Sequence, residues 1–284
     1  MPGPKLFWID DDDRLTPLEE GEGRFLLFPG RELEHHLTKS LRSKVGDFFP
    51  FCRPDDRHRF LGRVVSLTPL TLDLEPDRTG FLAVPSTRIG LALSPVKGDG
   101  FTAILAQATM SGMHRVRPLL TDRSVVEWGD RSRWQGKQAR FRNLVREKSQ
   151  LAGRTDRMIL EEPVATDRFL DLSENDSFLW FDENQSGTVG VSELLEKVGM
   201  LSGFPSFSGH NSCLWGMVGP EGGWSQSERA LSHSLESQGR LLRVSLGELT
   251  FSAEAAALSV VSLLGLVLSP LLETRDKSRS LLPD

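Results

Sequence analysis

The apolar positions of the chain change rhythm once. Between residues 23 and 76 they fall in short runs, "GRFLLF", "GDFFPF", "HRFLGRVVSL" and "LTLDLEP", set off by glycine, proline or aspartate. Short runs at close spacing with turn residues between them predict the strands of a small β-rich unit. One stretch inside it, "GRELEHHLTKSLRSKVGD", keeps a different period. Leu33, Leu37 and Leu41 recur every four residues, which predicts a helix with these leucines on one face and Gly46-Asp47 at its end. From Thr87 onward, buried-looking strands ("RIGLALS", "RVRPLL", "SFLWFD", "CLWGMV", "RLLRVS") alternate with helical patterns. The helices are "GDGFTAILAQATMSG" with Ile104 and Ala108 inward, a long basic stretch near Ser132 to Leu151, "VSELLEKVG", "SQSERALSHSLES" and a final apolar run. This alternation predicts an α/β domain with a mostly parallel sheet covered on both faces. The expected division is a β-rich domain over residues 1–85, an α/β domain over 86–270 and a poorly ordered tail over 271–284.

Composition narrows the class. With 38% hydrophobic and 26% charged residues in 284, the chain has the make-up of an ordinary globular protein. Cys52 and Cys213 stand far apart and give neither a disulfide framework nor metal-ligand spacing, which fits a reducing cytoplasm and no metal. The opening "MPGPKLFWIDDDDR" lacks a basic stretch followed by an apolar one, so no signal peptide is expected. The longest apolar run, "AAALSVVSLLGLVL" at residues 255–268, is shorter than the about 20 residues of a membrane span and meets Pro270; it predicts a core helix and no membrane association. Net charge is −5, yet residues 131–157 carry Arg131, Arg133, Lys137, Arg140, Arg142, Arg146, Lys148, Arg154 and Arg157 against Glu147 and Asp156. Such a stretch is either a solvated helix face or a phosphate-binding surface.

The densest glycine cluster lies in "WGMVGPEGGWSQSERAL", between a strand ending at Val218 and a helix start. Ser225 and Glu228 have the spacing of a capping box, while Arg229 stands where an apolar partner for Trp224 would complete a hydrophobic staple. The loop lacks the Lys-Ser/Thr of a phosphate loop and has no GxGxxG, and Glu221 would repel a phosphate. It is therefore a structural turn or a loop for a neutral or cationic ligand. A second strand-to-helix turn, "RVSLGELTFSAEAAAL", passes through Gly247, and the two turns could form two walls of one pocket.

In this order the motifs resemble the bacterial small-subunit (16S) ribosomal RNA uridine N3-methyltransferases of the SPOUT superfamily. "GPEGGWSQSE", then "SLG" and "AEAA", carry the resemblance, together with "HHLTKSLRSKVGD", "LALSPVKGDGFTAILAQATMSGMHRVRPLLTDRSV" and "RWQGKQARFRNLVREKSQLAGR". The resemblance implies an N-terminal PUA-like β-barrel that helps hold RNA and a C-terminal SPOUT α/β domain with a deep trefoil knot. It also implies S-adenosylmethionine as cofactor, ribosomal RNA or the small ribosomal subunit as partner, and a homodimer. By motif, Val218, Gly219, Glu221, Gly222, Gly223, Ser245, Leu246 and Gly247 would line the cofactor pocket. Ser252 and Glu254 would stand at the catalytic motif, and Arg140, Arg142, Arg146 and Arg154 would contact phosphates.

The chain departs from the family pattern in its last motif. Glu248 stands for a proline, and Leu249 and Ser252 stand for arginines; Met110 and Ser111 replace a glutamate and a leucine, and Leu151 stands for a glutamine. Uracil N3 must lose a proton before it accepts a methyl group, and a nearby positive charge or hydrogen-bond donor stabilises the anion. Ser252 supplies a donor without charge. His114, His210 and His233 are the histidines of the second domain, where a lone histidine is more often structural, and His35 and His36 match the first-domain motif. The implied activity is methyl transfer to small-subunit ribosomal RNA; the alternative is an inactive or retargeted relative that binds RNA.

Overall fold

The structure, a computed structural model, describes residues 5–18, 23–54, 58–77, 88–126, 128, 131–173, 175–183, 186–200 and 212–272. His210 and the part of the expected tail beyond Leu272 lie outside the described residues. Two compact units form, one from Met1–Val84 with Ser149–Arg157, the other from Pro85–Lys148 with Met158–Asp284. A boundary at residue 85 thus leaves one piece of the first unit in the second half of the chain.

In the first unit six strands, β1 (Phe7–Trp8), β2 (Arg14–Pro17), β3 (Phe25–Phe28), β4 (Phe48–Arg53), β5 (His58–Leu67) and β6 (Leu70–Pro76), lie in the order β1-β4-β5-β6-β3-β2. β1 and β4 pair in parallel and the remaining pairs are antiparallel. The sheet curls over Phe7, Leu27, Phe51, Val64, Leu72 and Leu74. Because β1 and β2 stand at its two ends, the expected barrel-like sheet is an open half-barrel among the described residues. The leucine-patterned helix is short: α1 (Arg31–His35) runs into a π-helical turn, His36–Ser40. Leu33 and Leu37 are buried as the pattern requires, but Leu41 is 46% exposed. The wider turn, closed by Leu41 N donating to His36 O at 3.0 Å, breaks the four-residue register, and Arg42 at φ 54° leaves the helix before Gly46. The segment Ser149–Arg157 seals the β1 edge. Leu6 N donates to Gln150 O at 3.2 Å, Trp8 Nε1 donates to Arg154 O at 2.9 Å, and Arg157 lies 5.2 Å from the centre of the Trp8 ring.

The second unit holds β7 (Arg88–Leu93), β8 (Arg115–Leu120), β9 (Ile159–Leu160), β10 (Val164–Ala165), β11 (Ser177–Phe181), β12 (Val189–Gly190), β13 (Cys213–Val218) and β14 (Leu241–Ser245). Their order is β10-β8-β7-β13-β11-β14-β12, with β9 also on β8, and every pairing is parallel. The helices are α2 (Gly100–Met110), α3 (Arg131–Leu151), α4 (Thr166–Leu172), α5 (Val191–Met200), α6 (Gln226–Ser237) and α7 (Ala253–Ser262). Alternate strand residues feed two cores, as a sheet buried on both faces requires. Leu91, Leu179 and Leu214 pack in one, and Ala92, Trp180 and Trp215 in the other. The sequence pattern anticipates the five longer strands and every helix of this unit except α4; β9, β10 and β12, at two residues each, are too short to show alternation.

The last helix corrects an expectation. α7 continues through a π-helical turn, Leu263–Leu268, to Leu272, so the apolar run sits in a 20-residue helix that is long and apolar enough to cross a membrane. Pro270 does not stop it, because the widened turn just before accommodates a ring lacking an N–H. Ala257, Val260, Val261, Leu264, Leu268 and Leu272 pack in the core, as a soluble core helix would.

Candidate cofactor cavity

β13, β11 and β14 are neighbours in that order, so their carboxyl ends open side by side, where ligands bind in open α/β sheets. A cavity of about 460 Å³ lies there. Phe181, Asp182 and Glu183 enter it from β11, and Val218 to Gly223 from β13. From β14 the lining runs from Ser245 through Leu246, Gly247, Glu248, Leu249, Thr250 and Phe251 to Ser252, Ala253 and Ala256.

All eight cofactor residues expected from motifs, Val218, Gly219, Glu221, Gly222, Gly223, Ser245, Leu246 and Gly247, are brought together in this lining, and Ser252 joins them. Glu254 stands apart. It lies in the first turn of α7, and its carboxylate packs against Gly100 at the start of α2, where a Cβ on Gly100 would meet Oε2 at 2.8 Å. A carboxylate near a helix start is favoured by the helix dipole. Sequence reasoning missed Asp182 and Glu183, though polar residues at the end of the "SFLWFDE" strand were the available signal, and it missed Thr250 and Phe251.

The first wall is fixed from beneath. Trp224 is fully buried, donates from Nε1 to Phe181 O at 2.8 Å and stacks on Trp180 with ring centres 3.9 Å apart. Gly219 lies over that ring: a Cβ there would stand 2.9 Å from Trp224 Cε2, so the backbone passes where a side chain cannot. Gly223 N closes the turn on Pro220 O at 2.9 Å, and Arg123 Nη1 donates to Gly222 O at 3.0 Å. The capping box is present, with Glu228 N donating to Ser225 Oγ at 3.2 Å and Ser225 N donating to Glu228 Oε2 at 2.9 Å. The buried Glu228 carboxylate also accepts from Asp122 N at 3.3 Å and Thr166 Oγ1 at 3.1 Å. Ser225 and Ser227 hydroxyls donate to Asp122 at 2.5 and 2.7 Å and hold its carboxyl below the usual carboxylate range. Arg229, which left the staple incomplete, bridges to β11 instead. It donates to Asp182 at 3.0 and 2.9 Å and to Glu183 at 2.6 Å, and the bonds to Asp182 raise its pKa further.

The second wall is held locally. Gly247 adopts φ 124°, a conformation that L side chains rarely take, and its N–H donates to Ser245 Oγ at 3.2 Å. Ser252 caps α7 by accepting from Ala255 N at 3.2 Å. Between these points Leu249 is 81% exposed and Phe251 40% exposed.

Among the described residues, every charged side chain in the lining is acidic: Asp182, Glu183, Glu221 and Glu248. Arg229 offsets the first two from outside the lining. The cavity therefore suits a cation held by backbone groups and disfavours a phosphate. Among the described residues no histidine lines it; His114 follows α2 and donates from its backbone to Ile89 O at 2.7 Å, and His233 lies 4.0 Å from Glu236 on α6. In the first unit the ring of His36 packs 5.6 Å from that of Phe7, and burial lowers its pKa.

On α3, Trp134, Phe141 and Val145 turn into the core while Arg133, Lys137, Arg140 and Arg142 are exposed. Arg140 lies 3.6 Å from Asp99, both of them solvated, and Arg146 is half-buried. Arg154 does not belong with this face. It is only 9% exposed and donates to Asp156 at 3.0 and 2.5 Å, so its guanidinium is committed within the first unit and does not present itself to a phosphate.

The sequence pattern of the RNA methyltransferase domain family matches residues 84–265, and the chain belongs to that family. Among curated proteins none matches the sequence. Solved structures match over nearly the whole chain. The ribosomal RNA small subunit methyltransferase E of Neisseria gonorrhoeae, bound to S-adenosylmethionine, is 18% identical with a TM-score of 0.65, covering 93% of this chain and 98% of its own. A Legionella pneumophila structure with bound S-adenosylmethionine is 20% identical with a TM-score of 0.64, covering 92% and 98%. A Porphyromonas gingivalis protein described as an rRNA methyltransferase is 15% identical with a TM-score of 0.67, covering 94% and 99%. At these identities the likeness establishes the fold, the half-barrel followed by a parallel α/β unit.

Proposed function

We propose that the chain is an S-adenosylmethionine-dependent methyltransferase that modifies small-subunit ribosomal RNA at N3 of a uridine. The observation that carries this reading is the convergence of eight motif residues on one acidic, backbone-lined cavity at three strand ends. S-adenosylmethionine, when bound, supplies an electrophilic methyl group on a cationic sulfonium. The glycine backbone of the first wall and the Ser245–Gly247 backbone of the second would hold it, and the carboxylates would favour its charge. Ser252 Oγ accepts from the helix and keeps its own proton to donate toward charge developing on the acceptor. Glu221 and Glu248 bring one carboxylate to each wall and are the proton acceptors that the cavity offers. Arg140, Arg142 and Arg146 would position the RNA backbone. The implied trefoil knot and homodimer belong to the same reading, and Leu266, Val267 and Leu271, exposed on the last helix, support a self-contact there. The two free, buried cysteines fit a cytoplasmic location.

Calorimetry with S-adenosylhomocysteine should give a binding isotherm that Gly219→Val abolishes, since the added side chain would collide with Trp224. Mass spectrometry of nucleosides from treated small ribosomal subunits should show N3-methyluridine. One observation favours a second reading, an RNA-binding relative without transfer or with another target base: among the described residues no basic side chain lines the cavity to stabilise a uracil anion. It predicts salt-sensitive RNA binding with no methylated uridine.

A further inference from the structure

We propose that Phe251, with Leu249 beside it, is the platform on which the acceptor nucleobase stacks during methyl transfer. The proposal rests on the reading of the cavity as the methyl-donor site. Exposed apolar side chains scattered singly over a surface need no explanation. These two stand two residues apart on one short connection, and both line the same cavity, Leu249 at 81% and Phe251 at 40% exposure. A site that delivers a methyl group to N3 of uracil, a base-edge atom, must admit a base lifted out of its stack. Such a base loses its neighbours on both faces and regains part of that energy on aromatic or apolar side chains.

Charge sorts the two parts of the RNA. Glu221 and Glu248 repel phosphate from the cavity, while Asp182 and Glu183 are offset by Arg229, so the part of a nucleotide that enters is the uncharged base. Phosphates have the basic face of α3 instead, with Arg140 and Arg142 exposed. The Gly247–Ser252 connection lies between a φ of 124° at Gly247 and the cap of α7 at Ser252, so Phe251 is delivered to the rim immediately before a fixed helix start.

The test compares Phe251→Ala, Phe251→Leu and Phe251→Trp with the unaltered chain in three measurements. These are calorimetric affinity for S-adenosylhomocysteine, filter binding of ribosomal RNA from a strain lacking this gene across a salt series, and tritium transfer from labelled S-adenosylmethionine to that RNA. Phe251→Ala should lower kcat/KM roughly tenfold to a hundredfold, the loss of one stacked base. Its S-adenosylhomocysteine affinity should stay within about twofold, and the salt slope of RNA binding should be unchanged, because no phosphate contact is removed. Phe251→Trp should retain transfer within a few-fold, and Phe251→Leu should fall between. Equal transfer by Phe251→Ala and the unaltered chain overturns the proposal, as does a dimer that dissociates on Phe251→Ala in sedimentation, which would make the ring a contact with a second copy. Failure of the unaltered chain to bind S-adenosylhomocysteine defeats the cavity reading itself, whatever Phe251 does.

Discussion

The two walls of the cavity are built on opposite plans. The Gly219–Gly223 wall stands on buried Trp224, is bonded to Phe181, Pro220 and Arg123, and leads into a helix start that uses Ser225, Glu228, Asp122 and Thr166 together. The Ser245–Ser252 wall is held at its two ends and turns Leu249 and Phe251 to water. The first plan suits a ligand that never changes, because backbone fixed by buried groups is costly to alter. The second suits whatever varies between relatives, since exposed side chains can be exchanged with little loss of stability. Against the motif pattern that the sequence resembles, Glu248, Leu249 and Ser252 depart in the second wall, Met110, Ser111 and Leu151 depart outside the cavity lining, and the first wall keeps the pattern.

Substitutions can break this contrast. The largest effect should come from Trp224→Ala, which empties the space under Gly219 and is expected to cost about 3–5 kcal/mol in urea unfolding. A cost below 1 kcal/mol would mean that the wall stands without its ring. Glu228→Ala leaves the donors from Ser225, Asp122 and Thr166 without their acceptor and should cost about 1–3 kcal/mol in the same measurement. A smaller effect is expected with pH. Asp122 is held below its ordinary pKa by the hydroxyls of Ser225 and Ser227, so its stabilisation is complete above the usual carboxylate range and fades as pH falls through the lowered value. Urea midpoints taken from about pH 5 down to about pH 2 should fall less steeply in Ser227→Ala. The smallest effect belongs to the second wall: Leu249→Ser should shift stability by no more than about 0.5 kcal/mol, and a loss comparable to that of Trp224→Ala would erase the distinction.

Much of this was legible in the residues because the signals are local. The capping box needs only Ser225 and Glu228 three positions apart, and the five longer strands need only their own apolar runs. Arg229 shows the limit. Beside Trp224 it reads as a flaw in a helix start, and its purpose becomes visible only when β11 brings Asp182 and Glu183 within reach. Arg154 erred in the opposite direction. It continues the charge pattern of α3, yet Asp156 two residues on takes up its guanidinium within the first unit. Leu41 and Pro270 both followed ordinary helix rules and both met π-helical turns, which depend on packing and leave no periodic mark.

The segment Ser149–Arg157 has a consequence for synthesis. Trp8 and Leu6 take their partners from the backbone carbonyls of Arg154 and Gln150, which are translated well after them. The 64 residues Pro85–Lys148 of the second unit are made after Val84 and before the first unit has its full complement at Arg157. At about 5–20 residues per second the wait from Val84 to Arg157 is roughly 4–15 s, during which the indole N–H of Trp8 lacks its Arg154 acceptor. The N-terminal unit is thus a vessel whose lid is translated last.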